Sequence, residues 1–486
     1  MNFQITLNEF LLISPMLVIF LMSLIPITLK VLRGNKEQNA LLTLAIGLTG
    51  LVAGAGLSVV FGGSGSVAFN KTLVFDGLSL WLGILAILSA GAGLVLAYEN
   101  PSTKGEQFSE LVFLAMNAAV GMLVLVTAVD LLMIFLGLEL MSLSLYLMIG
   151  MSHEHRVSKE AAFKYFVLGS LASAIYLYGV SFVFGTTGST NILNFLQSTA
   201  SLVSANRLFM FGIVLVIVGF LFKISIAPFH AWTPDVYQGA PTPHTAVMAT
   251  AVKAVCVAAL LRIFASRVLV GSDKILVIMQ WLAVITMLVG NMAAIVQGNM
   301  KRMLAYSGIA HSGYLMVGMI ASGISETATF GAASVVFYLI GYTVMTLGAF
   351  SIINLIERTE SHSLNVEDLA GFAKIRPGLA FCLTLFLLSM AGIPPLIGFF
   401  GKFYLFNAAI AEGLLWLAIW GVLNSVISAY YYLRPIVIMY MKDGNADIAP
   451  HPVSGTMMAT LVSAIVVTLL GFFSGGLFDA VEKSLF

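Results

Sequence analysis

Residues 131–150 read LLMIFLGLELMSLSLYLMIG, and Glu139 is the only charged residue among them. At about 1.5 Å per residue, a helix of about 20 apolar residues crosses the roughly 30 Å of hydrocarbon in a bilayer. Similar apolar runs fill the 486-residue chain, of which 59% is hydrophobic and 9% is charged. Soluble domains average about 25% charged residues, so the composition excludes a water-soluble globule.

The apolar runs predict an all-α integral membrane protein with fourteen transmembrane helices, because a helix pairs its own backbone groups inside the bilayer. A transmembrane barrel would need short alternating segments, which the sequence lacks. The predicted spans are 10–29, 40–61, 75–97, 110–127, 130–150, 160–184, 208–228, 244–266, 275–296, 303–321, 329–355, 378–408, 411–433 and 455–478.

The net charge and the cysteines indicate no partner for the chain other than the lipid bilayer. A net charge of +1 offers no basic field for nucleic acid. The two cysteines, Cys256 and Cys382, fit no disulfide or metal pattern and are expected to be small buried residues. The apolar run at 10–27 is too long for a signal-peptide core, so we expect it to be a retained span.

The distribution of Lys and Arg predicts the orientation of the chain. With the N-terminus outside, the inside loops hold 13 of the 23 Lys and Arg residues, and the outside loops hold 6. We therefore expect both termini in the periplasm of a bacterium. Segment 262–274 fits least well, because it places three positive charges outside.

Two features recur at an offset of about 170 residues. Residues 165–169 resemble 337–341, and Pro228 in span 7 has a counterpart in Pro394 and Pro395 of span 12. They predict a duplicated five-helix unit, whose second copy is inverted because five is odd. Such repeats with broken helices are typical of transporters, although a chance likeness stays open. The predicted divisions are 1–109 (three N-terminal transmembrane helices), 110–266 (first five-helix repeat), 267–440 (second, inverted repeat) and 441–486 (C-terminal transmembrane helix).

Four Glu or Lys residues lie deep inside predicted spans or beside their proline breaks, namely Glu139, Lys223, Lys253 and Lys402. Burying such a group costs roughly 2.5–3.5 kcal/mol, which indicates a functional role. A structural Glu139–Lys223 ion pair is the alternative, but it leaves the other two lysines without acids. Because desolvation disfavours a charged amine and a nearby carboxylate favours it, Glu139 could load or unload a proton at Lys223.

Prolines interrupt spans 7 and 12, because proline lacks an N–H group and crowds the preceding turn. Carbonyls freed at Pro228 and at Pro394-Pro395 would need water or other partners. We therefore predict that both breaks are hydrated, with simple kinks as the alternative.

Weaker candidates surround this set. His311 in span 10 could relay protons between Lys253 and Lys402, because its unperturbed pKa is about 6.5, or it could be a packing residue. Lys164 lies four residues after Glu160, and the two residues fit a solvated ion pair as well as they fit a proton-uptake step. Tyr430–Tyr432 resemble an interfacial aromatic anchor more than an exit path. The further candidates are His230 and Asp235 at an inner mouth, Tyr338 as a polar link, and Tyr431.

No motif for a cofactor is present in the sequence. It contains no phosphate loop, dinucleotide fingerprint, cysteine cluster or haem attachment motif. We therefore expect this chain to hold no metal, cofactor or redox centre.

Longer motifs carry a family resemblance. FKIS at 222–225 and APFHAWTPDVYQGAPTP at 227–243 resemble the span 7–8 signature of the antiporter-like subunits of respiratory complex I. NMKRMLAYS at 299–307, AGIPP at 391–395 and GFFGKFY at 398–404 match the same family. The resemblance covers about 110 to 440, and PDVYQGAP at 234–241 is most similar to the subunit N branch of the NADH–quinone oxidoreductases.

The resemblance implies a subunit that moves H⁺ from cytoplasm to periplasm while partner subunits reduce quinone. Glu139 then looks like the residue that sets the charge of Lys223, Lys253 like the central lysine, and Lys402 like the lysine on the exit side. The implied route starts near the break at Pro228 and reaches Lys402 through His311 and water. Lysine at 402 is similar to subunits L and N and unlike subunit M, and the missing C-terminal lateral helix favours N over L.

The resemblance also implies the surroundings of the chain. NADH, FMN, iron–sulfur clusters and quinone would bind to partner subunits, in the bacterial inner membrane. The neighbours would be the antiporter-like subunit M and small subunits such as K and J. A cation/proton antiporter subunit of the multi-subunit Mrp type and a non-pumping structural subunit stay open, whereas a solute carrier lacks any visible ligand site.

Overall fold

The computed structural model describes residues 6–34, 39–103, 105, 107–151, 156–195, 198–324, 329–357, 364–444 and 454–485. Three residues counted in the charge bias, Lys36, Lys104 and Arg358, lie outside these ranges. Within them the chain is almost entirely helical, as the apolar runs predict.

The helices of the first half are α1 (Leu7–Leu12), α2 (Ser14–Leu32), α3 (Ala40–Phe61), α4 (Gly77–Glu99), α5 (Phe108–Thr127), α6 (Leu131–Gly150), α7 (Arg156–Thr187), α8 (Ile192–Phe195), α9 (Thr199–Ala205), α10 (Arg207–Lys223), α11 (Trp232–Gly239), α12 (Thr242–Val247) and α13 (Lys253–Ala265). A π-helical turn, Met248–Val252, joins α12 to α13. The second half contains α14 (Asp273–Ile295), α15 (Met300–Ser322), α16 (Thr329–Ile356), α17 (Phe372–Ile375), α18 (Pro377–Ala391), α19 (Ile397–Ala411), α20 (Leu415–Met441), α21 (Ser454–Phe472) and α22 (Ser474–Ser484), with a 3₁₀ turn at Val366–Leu369.

Eleven helices in the described ranges are long and apolar enough to cross a membrane, or twelve if α9 and α10 count as one bent span. Helices overlap all fourteen predicted segments. The segments that do not qualify on length and composition alone are those of α10, of α15 and of the pair α18 and α19. Helices α10, α18 and α19 are shorter than 18 residues, and α15 includes several polar residues, among them His311.

A short β-hairpin departs from the all-α prediction. Strands β1 (Ser66–Ala68) and β2 (Leu73–Phe75) pair antiparallel, with Ser66 opposite Phe75. Phe69, Asn70 and Lys71 all have positive φ angles, which reverses the chain between the strands. The hairpin forms where the chain leaves the apolar spans, and it defines one end of the molecule, called here the hairpin end.

Both terminal helices lie at the hairpin end. The Glu9 carboxylate on α1 accepts a 2.8 Å hydrogen bond from the backbone N–H of Phe69. At the other terminus, the Trp81 indole N–H donates to the Ser484 hydroxyl at 2.8 Å. Trp81 belongs to the first turns of α4, which follows the hairpin directly.

The final span α21 is held to α4 by a carboxylate from another helix. Glu99, at the end of α4, accepts hydrogen bonds from the backbone N–H groups of Gly455 (2.9 Å) and Thr456 (2.7 Å). A carboxylate at a helix N-terminus satisfies otherwise unpaired N–H groups and the positive end of the helix dipole.

Arg262 explains the poor fit of segment 262–274 to the charge bias. It lies in the last turn of α13 rather than in a loop, and its guanidinium donates to both carboxylate oxygens of Asp76 at 2.7 and 2.9 Å. The same guanidinium donates to the Val126 carbonyl at 2.8 Å. Because its charge is buried and paired, Arg262 does not act as a free loop charge.

Two loop contacts outside the helices have the same bonding pattern. At the start of α6, Leu131 N–H donates to Thr190 O and Ile192 N–H donates to Val129 O, at 2.9 and 2.8 Å. At the start of α15, Met300 N–H donates to Leu364 O and Val366 N–H donates to Gly298 O, at 2.9 and 2.7 Å. Each pattern ties the first residue of a helix to a loop later in the chain.

Candidate functional site

The three lysines predicted inside spans are buried, at 3–4% exposure, and His311 is 1% exposed. None of these four side chains forms an ion pair within the described residues. Their partners are hydroxyls, backbone carbonyls and tyrosine rings.

Lys223 is the last residue of α10, and its amine is held by α6. It donates to the Ser142 hydroxyl at 2.8 Å and to the Tyr146 hydroxyl at 3.1 Å. Its Nζ also lies 5.4 and 5.3 Å from the ring centroids of Tyr146 and Tyr165. The alternative of a Glu139–Lys223 ion pair is therefore wrong.

Glu139 occupies the same face of α6 as these two hydroxyls, because residues 139, 142 and 146 are one and two turns apart. Its carboxylate is partly buried and accepts a hydrogen bond from the Ser173 hydroxyl on α7. Ser142 lies between Glu139 and Tyr146 along the helix. The structure thus brings Glu139 and Lys223 to one helix face without direct contact.

The first break follows Lys223, five residues before Pro228. Ser225 has a φ of +62°, and its hydroxyl contacts the Thr233 hydroxyl at 2.6 Å. The Trp232 indole N–H donates to the Phe222 carbonyl at 3.0 Å. Pro228 itself is exposed on the surface of the chain.

Lys253 begins α13, directly after the π-helical turn. Such turns are rare and often occur at functional sites. The Lys253 amine donates to the Gly308 carbonyl on α15 and, at 3.4 Å, to the Tyr342 hydroxyl on α16. It also lies 4.9 Å from the Tyr342 ring centroid.

His311 is bonded on both ring nitrogens. Its Nδ1 contacts the Tyr338 hydroxyl, and its Nε2 contacts the Tyr432 hydroxyl at 2.8 Å. The Tyr432 hydroxyl also contacts Ser307. His311 therefore belongs to a hydroxyl–imidazole network, which includes the predicted Tyr338.

The aromatic-anchor interpretation fits only one of the three tyrosines in 430–432. Tyr430 is 62% exposed, but Tyr431 and Tyr432 are fully buried. Tyr431 donates to the Asn291 side-chain oxygen at 3.0 Å. The anchor is wrong for Tyr431 and Tyr432 because α20 turns this face toward α14 and α15.

Lys402 lies in α19 but reaches back across the second break. Its amine donates to the carbonyl of Ala391, the last residue of α18, and to the Ser425 hydroxyl on α20, both at 2.9 Å. Its Nζ lies 5.1 Å from the Tyr314 ring centroid. Pro394 and Pro395 are exposed, so the break directs the freed carbonyl inward, where lysine binds it.

Charged groups concentrate at the end opposite the hairpin. Lys164 pairs with Glu160 at 2.7 Å and with Asp235 at 2.9 Å, and Asp235 also pairs with Arg302 at 2.7 Å. His230 is partly buried, and its Nδ1 has no hydrogen-bond partner. The predicted Lys164–Glu160 pair is thus one part of a chain that joins α7, α11 and α15.

Further ion pairs are present at this opposite end. Lys301 and Glu357, 7% and 8% exposed, are 3.4 Å apart. On the surface, Glu367 is 2.7 Å from Lys442 and 3.4 Å from Arg434. The Lys442 hydrogen bond, with a smaller contribution from Arg434, lowers the pKa of Glu367.

Several side-chain partners of the lysines were not predicted from the sequence: Ser142, Tyr146, Tyr314, Tyr342 and Ser425. Their common signal is a polar or aromatic residue in the middle of an apolar span. Such residues are frequent in this chain, so the signal does not select among them.

The cysteines are buried and unpaired, as predicted. Among the described residues, no group of three or more His, Cys, Asp or Glu could hold a metal ion. The lysine amines, the His311 ring and the tyrosine hydroxyls that the structure brings together can bind and release protons at nitrogen and oxygen.

A family model described as "NADH:quinone oxidoreductase/Mrp antiporter, TM" matches residues 128–428. NADH-quinone oxidoreductase subunit N of Bdellovibrio bacteriovorus is 65% identical over 485 residues, which cover all of both chains. This chain belongs to the subunit N family. The motifs at 222–243 and 391–404 thus predict the family correctly.

Solved structures of this fold agree with the subunit N family assignment. A chain in respiratory complex I from Thermus thermophilus with bound aureothin is 31% identical, with a TM-score of 0.82 over 96% of this chain and 99% of that one. A chain of the Mrp complex from Dietzia sp. DQ12-45-1b has a TM-score of 0.84 at 21% identity, over 99% of this chain and 97% of that one. The second likeness concerns the fold alone.

Proposed function

We propose that this chain is the proton-translocating membrane subunit N of a bacterial NADH–quinone oxidoreductase, part of an enzyme complex whose electron transfer takes place in partner subunits. The observation that carries the proposal is the set of three buried lysines, each bound only by neutral acceptors. Burying an ionised amine without a counter-charge is costly, so such a set indicates groups that gain and lose protons.

The proposed proton path starts from the end opposite the hairpin, where Lys164, Asp235 and His230 surround the first break. It crosses Lys223, whose charge Glu139 would influence along α6, and continues to Lys253. His311 and its tyrosine partners, including Tyr338, would link Lys253 laterally to Lys402. Tyr431, bonded to Asn291, is a secondary member.

Water would complete this path. Lys253 contacts Tyr342 and Lys402 lies over Tyr314, and both of these rings are adjacent to His311. Bridging water is the usual connector between such groups. Of the carbonyls predicted to be freed at the second break, that of Ala391 already has the Lys402 amine as a partner, so we place the water between the lysines rather than at that carbonyl.

We further propose fourteen spans with two inverted five-helix repeats, at 110–266 and 267–440, between three N-terminal helices in 1–109 and one in 441–486. The repeated loop contacts at the starts of α6 and α15 support this arrangement, because they are about 170 residues apart. Both terminal helices lie at the hairpin end, which supports the arrangement as well. A chain whose two ends lie on the same side of the membrane must cross it an even number of times.

Close helix contacts support the same equivalence. Gly121 on α5 packs against the backbone of Met141 on α6, and Gly290 on α14 packs against the backbone of Ala310 on α15. Gly121 precedes Gly290, and Met141 precedes Ala310, by about 170 residues in each case. Glycine at such a position allows two helix backbones to approach closely.

The surroundings proposed for the chain follow from its family. We propose that it lies in the bacterial inner membrane with both termini periplasmic, beside antiporter-like subunit M and small subunits such as K and J. NADH, FMN, iron–sulfur clusters and quinone would bind to partners. The relative from Thermus thermophilus supports this, because its structure is described as respiratory complex I.

Replacing Lys253 by Met in the assembled complex tests the proposed function. The apolar side chain cannot carry a proton, so we expect proton pumping per quinone reduced to fall about tenfold or more. Lys159→Met, at an exposed position on α7, is the matched control and should pump normally. Normal pumping by an assembled Lys253→Met complex would reject the path.

The likeness to the Mrp complex keeps a cation/proton antiporter subunit as the second candidate. Proton flux that depends on sodium and needs no quinone-reducing partner would favour that function. A purely structural subunit would instead retain pumping when Glu139, Lys223, Lys253 and Lys402 are neutralised together.

A further inference from the structure

Each buried lysine amine lies over the face of at least one tyrosine ring. The distances from Nζ to the ring centroid are 5.3 Å (Tyr165) and 5.4 Å (Tyr146) for Lys223, 4.9 Å (Tyr342) for Lys253 and 5.1 Å (Tyr314) for Lys402. A cation within about 6 Å of such a centroid is attracted by the negative face of the ring. The attraction applies to the ammonium form and is absent for the neutral amine.

The contact between Lys402 and Tyr314 involves the tyrosine ring and not its hydroxyl. Its amine donates to Ala391 O and Ser425 Oγ, and neither bond involves Tyr314. The Tyr314 hydroxyl points elsewhere, toward the Asn291 amide at 3.4 Å. Lys402 therefore meets Tyr314 through the ring alone, whereas Lys223 and Lys253 contact both ring and hydroxyl of their tyrosines.

The Tyr314 ring favours the charged form of Lys402 in addition to the carbonyl at the end of α18. The two hydrogen-bond acceptors of Lys402 are neutral, and no carboxylate of the described residues pairs with it. Lys402 is buried, and a cation–π contact is stronger at a buried site than on a surface. Removing the ring should therefore make the ammonium form less favourable at a given pH.

Other titratable groups come from the helices packed against α19. Lys301 and Arg302 on α15 and Arg434 on α20 pair with carboxylates at the end opposite the hairpin. His311 is the remaining group on these helices that could bear a positive charge. The α21 sequence contains no ionisable side chain. The groups are His311 and Tyr314 on α15, Tyr338 and Tyr342 on α16, Cys382 on α18, and Tyr431 and Tyr432 on α20, together with Tyr404 on α19 itself.

We propose that Tyr314 is a positioning residue that stabilises the charged form of Lys402 through the face of its ring. The proposal rests on the proposed function, because it assigns Tyr314 a part in loading the lysine on the exit side. The same arrangement serves Lys253 through Tyr342 and Lys223 through Tyr146 and Tyr165.

The test compares Tyr314→Leu with Tyr314→Phe in the assembled complex, with proton pumping and quinone reduction measured across a pH series. Leucine removes the ring, so we expect the alkaline limb of the pumping profile to move about 0.5 to 1 pH unit toward acid. Phenylalanine keeps the ring face and should leave the limb in place. Tyr314→Met, which is unbranched, replaces the leucine variant if that variant does not assemble.

Tyr176 offers a matched control. It is as buried as Tyr314, and its hydroxyl donates to the Leu131 carbonyl at 2.9 Å. Tyr176→Leu should change the yield of complex but not the pH at which pumping declines. Pumping is expressed per assembled complex, so that a loss of stability alone does not move the limb.

Two results would overturn the proposal: an unchanged limb in the ringless variants, or an equal shift in Tyr314→Phe, which would assign the effect to the hydroxyl. Lys402→Met, measured in parallel, separates this proposal from the proposed function. If Lys402→Met pumps normally, the path itself fails. If Lys402→Met stops pumping and Tyr314→Leu keeps the wild-type limb, only the role of Tyr314 fails.

Discussion

Gly169 on α7 provides the space in which the Tyr146 hydroxyl reaches Lys223. A Cβ at this position would lie 2.0 Å from the Tyr146 hydroxyl oxygen and 3.6 Å from the Lys223 amine. The hydroxyl would have to move, and Lys223 would lose one of its two hydrogen-bond acceptors. Gly169 thus acts on the lysine through a tyrosine of another helix.

Gly169→Ala should lower proton pumping about fivefold or more, because a hydrogen bond to a charged group is lost. Pumping per quinone reduced, measured in proteoliposomes that contain the assembled complex, checks this expectation. Gly185→Ala is the control on the same helix, because a Cβ at 185 meets nothing within 4 Å. Equal pumping by the two variants would show that the Tyr146 hydroxyl does not matter to Lys223.

The neutral acceptors around the lysines also explain why these residues suit proton transfer. In a buried ion pair, removing the proton from lysine leaves a carboxylate uncompensated. Ser142, Gly308 and Ala391 instead offer a hydroxyl or a carbonyl, which stays neutral when the amine loses its proton. Release of a proton therefore leaves no stranded charge.

At the scale of the helices, both broken spans bring an amine to a helix C-terminus. Lys223 is the last residue of α10, and Lys402 binds the carbonyl of the last residue of α18. The C-terminus of a helix carries a partial negative charge from its unpaired carbonyls. The breaks thus create an electrostatic site for a cation in the middle of the molecule, where a continuous helix would offer none.

The Asp76–Arg262 pair connects α4, α5 and α13 near the hairpin end, through a bidentate ion pair and a bond to Val126 O. Asp76→Asn removes the counter-charge of a guanidinium that is 8% exposed. Stranding one partner of a buried pair costs about 3–5 kcal/mol. We therefore expect a lower yield of assembled complex and a shorter half-life of activity at elevated temperature.

Two variants define what would contradict that prediction. Asp76→Leu combined with Arg262→Met removes both charges and should recover part of the lost stability, because an apolar pair can replace a buried ion pair. Glu367→Gln breaks an exposed pair and should have little effect. A half-life in Asp76→Asn equal to that of Glu367→Gln would mean that the Asp76–Arg262 pair does not contribute to stability.

For the whole molecule, the sequence predicts the helical membrane fold, the family and the buried positions of Lys223, Lys253, Lys402 and His311. The fold and the buried positions follow from long apolar runs and the charges placed within them, whereas the family follows from the resemblance of the motifs at 222–243 and 391–404. The partners of the lysines could not be predicted, because most come from distant helices. Ser142 precedes Lys223 by 81 residues, and Tyr342 follows Lys253 by 89. The hairpin was missed because its strands have three residues each.

The two proposed repeats are not equal copies in function. Lys223 precedes its break, whereas Lys402 follows the corresponding break and reaches back to it. The proposed symmetry accounts for two breaks, and the sequence around each break determines on which side its lysine lies.

The position of the two ends relative to the membrane determines the direction of the proposed path. Ser64 and Gly475 are exposed at the hairpin end, and Lys374 is exposed at the opposite end. In cells whose outer membrane has been opened, a membrane-impermeant maleimide should label Ser64→Cys and Gly475→Cys, and should label Lys374→Cys only after the inner membrane is permeabilised. The native Cys256 and Cys382 are buried, so they should contribute little background. If Lys374→Cys alone were labelled before the inner membrane is permeabilised, the hairpin end would lie in the cytoplasm. Lys402 could then not be on the exit side.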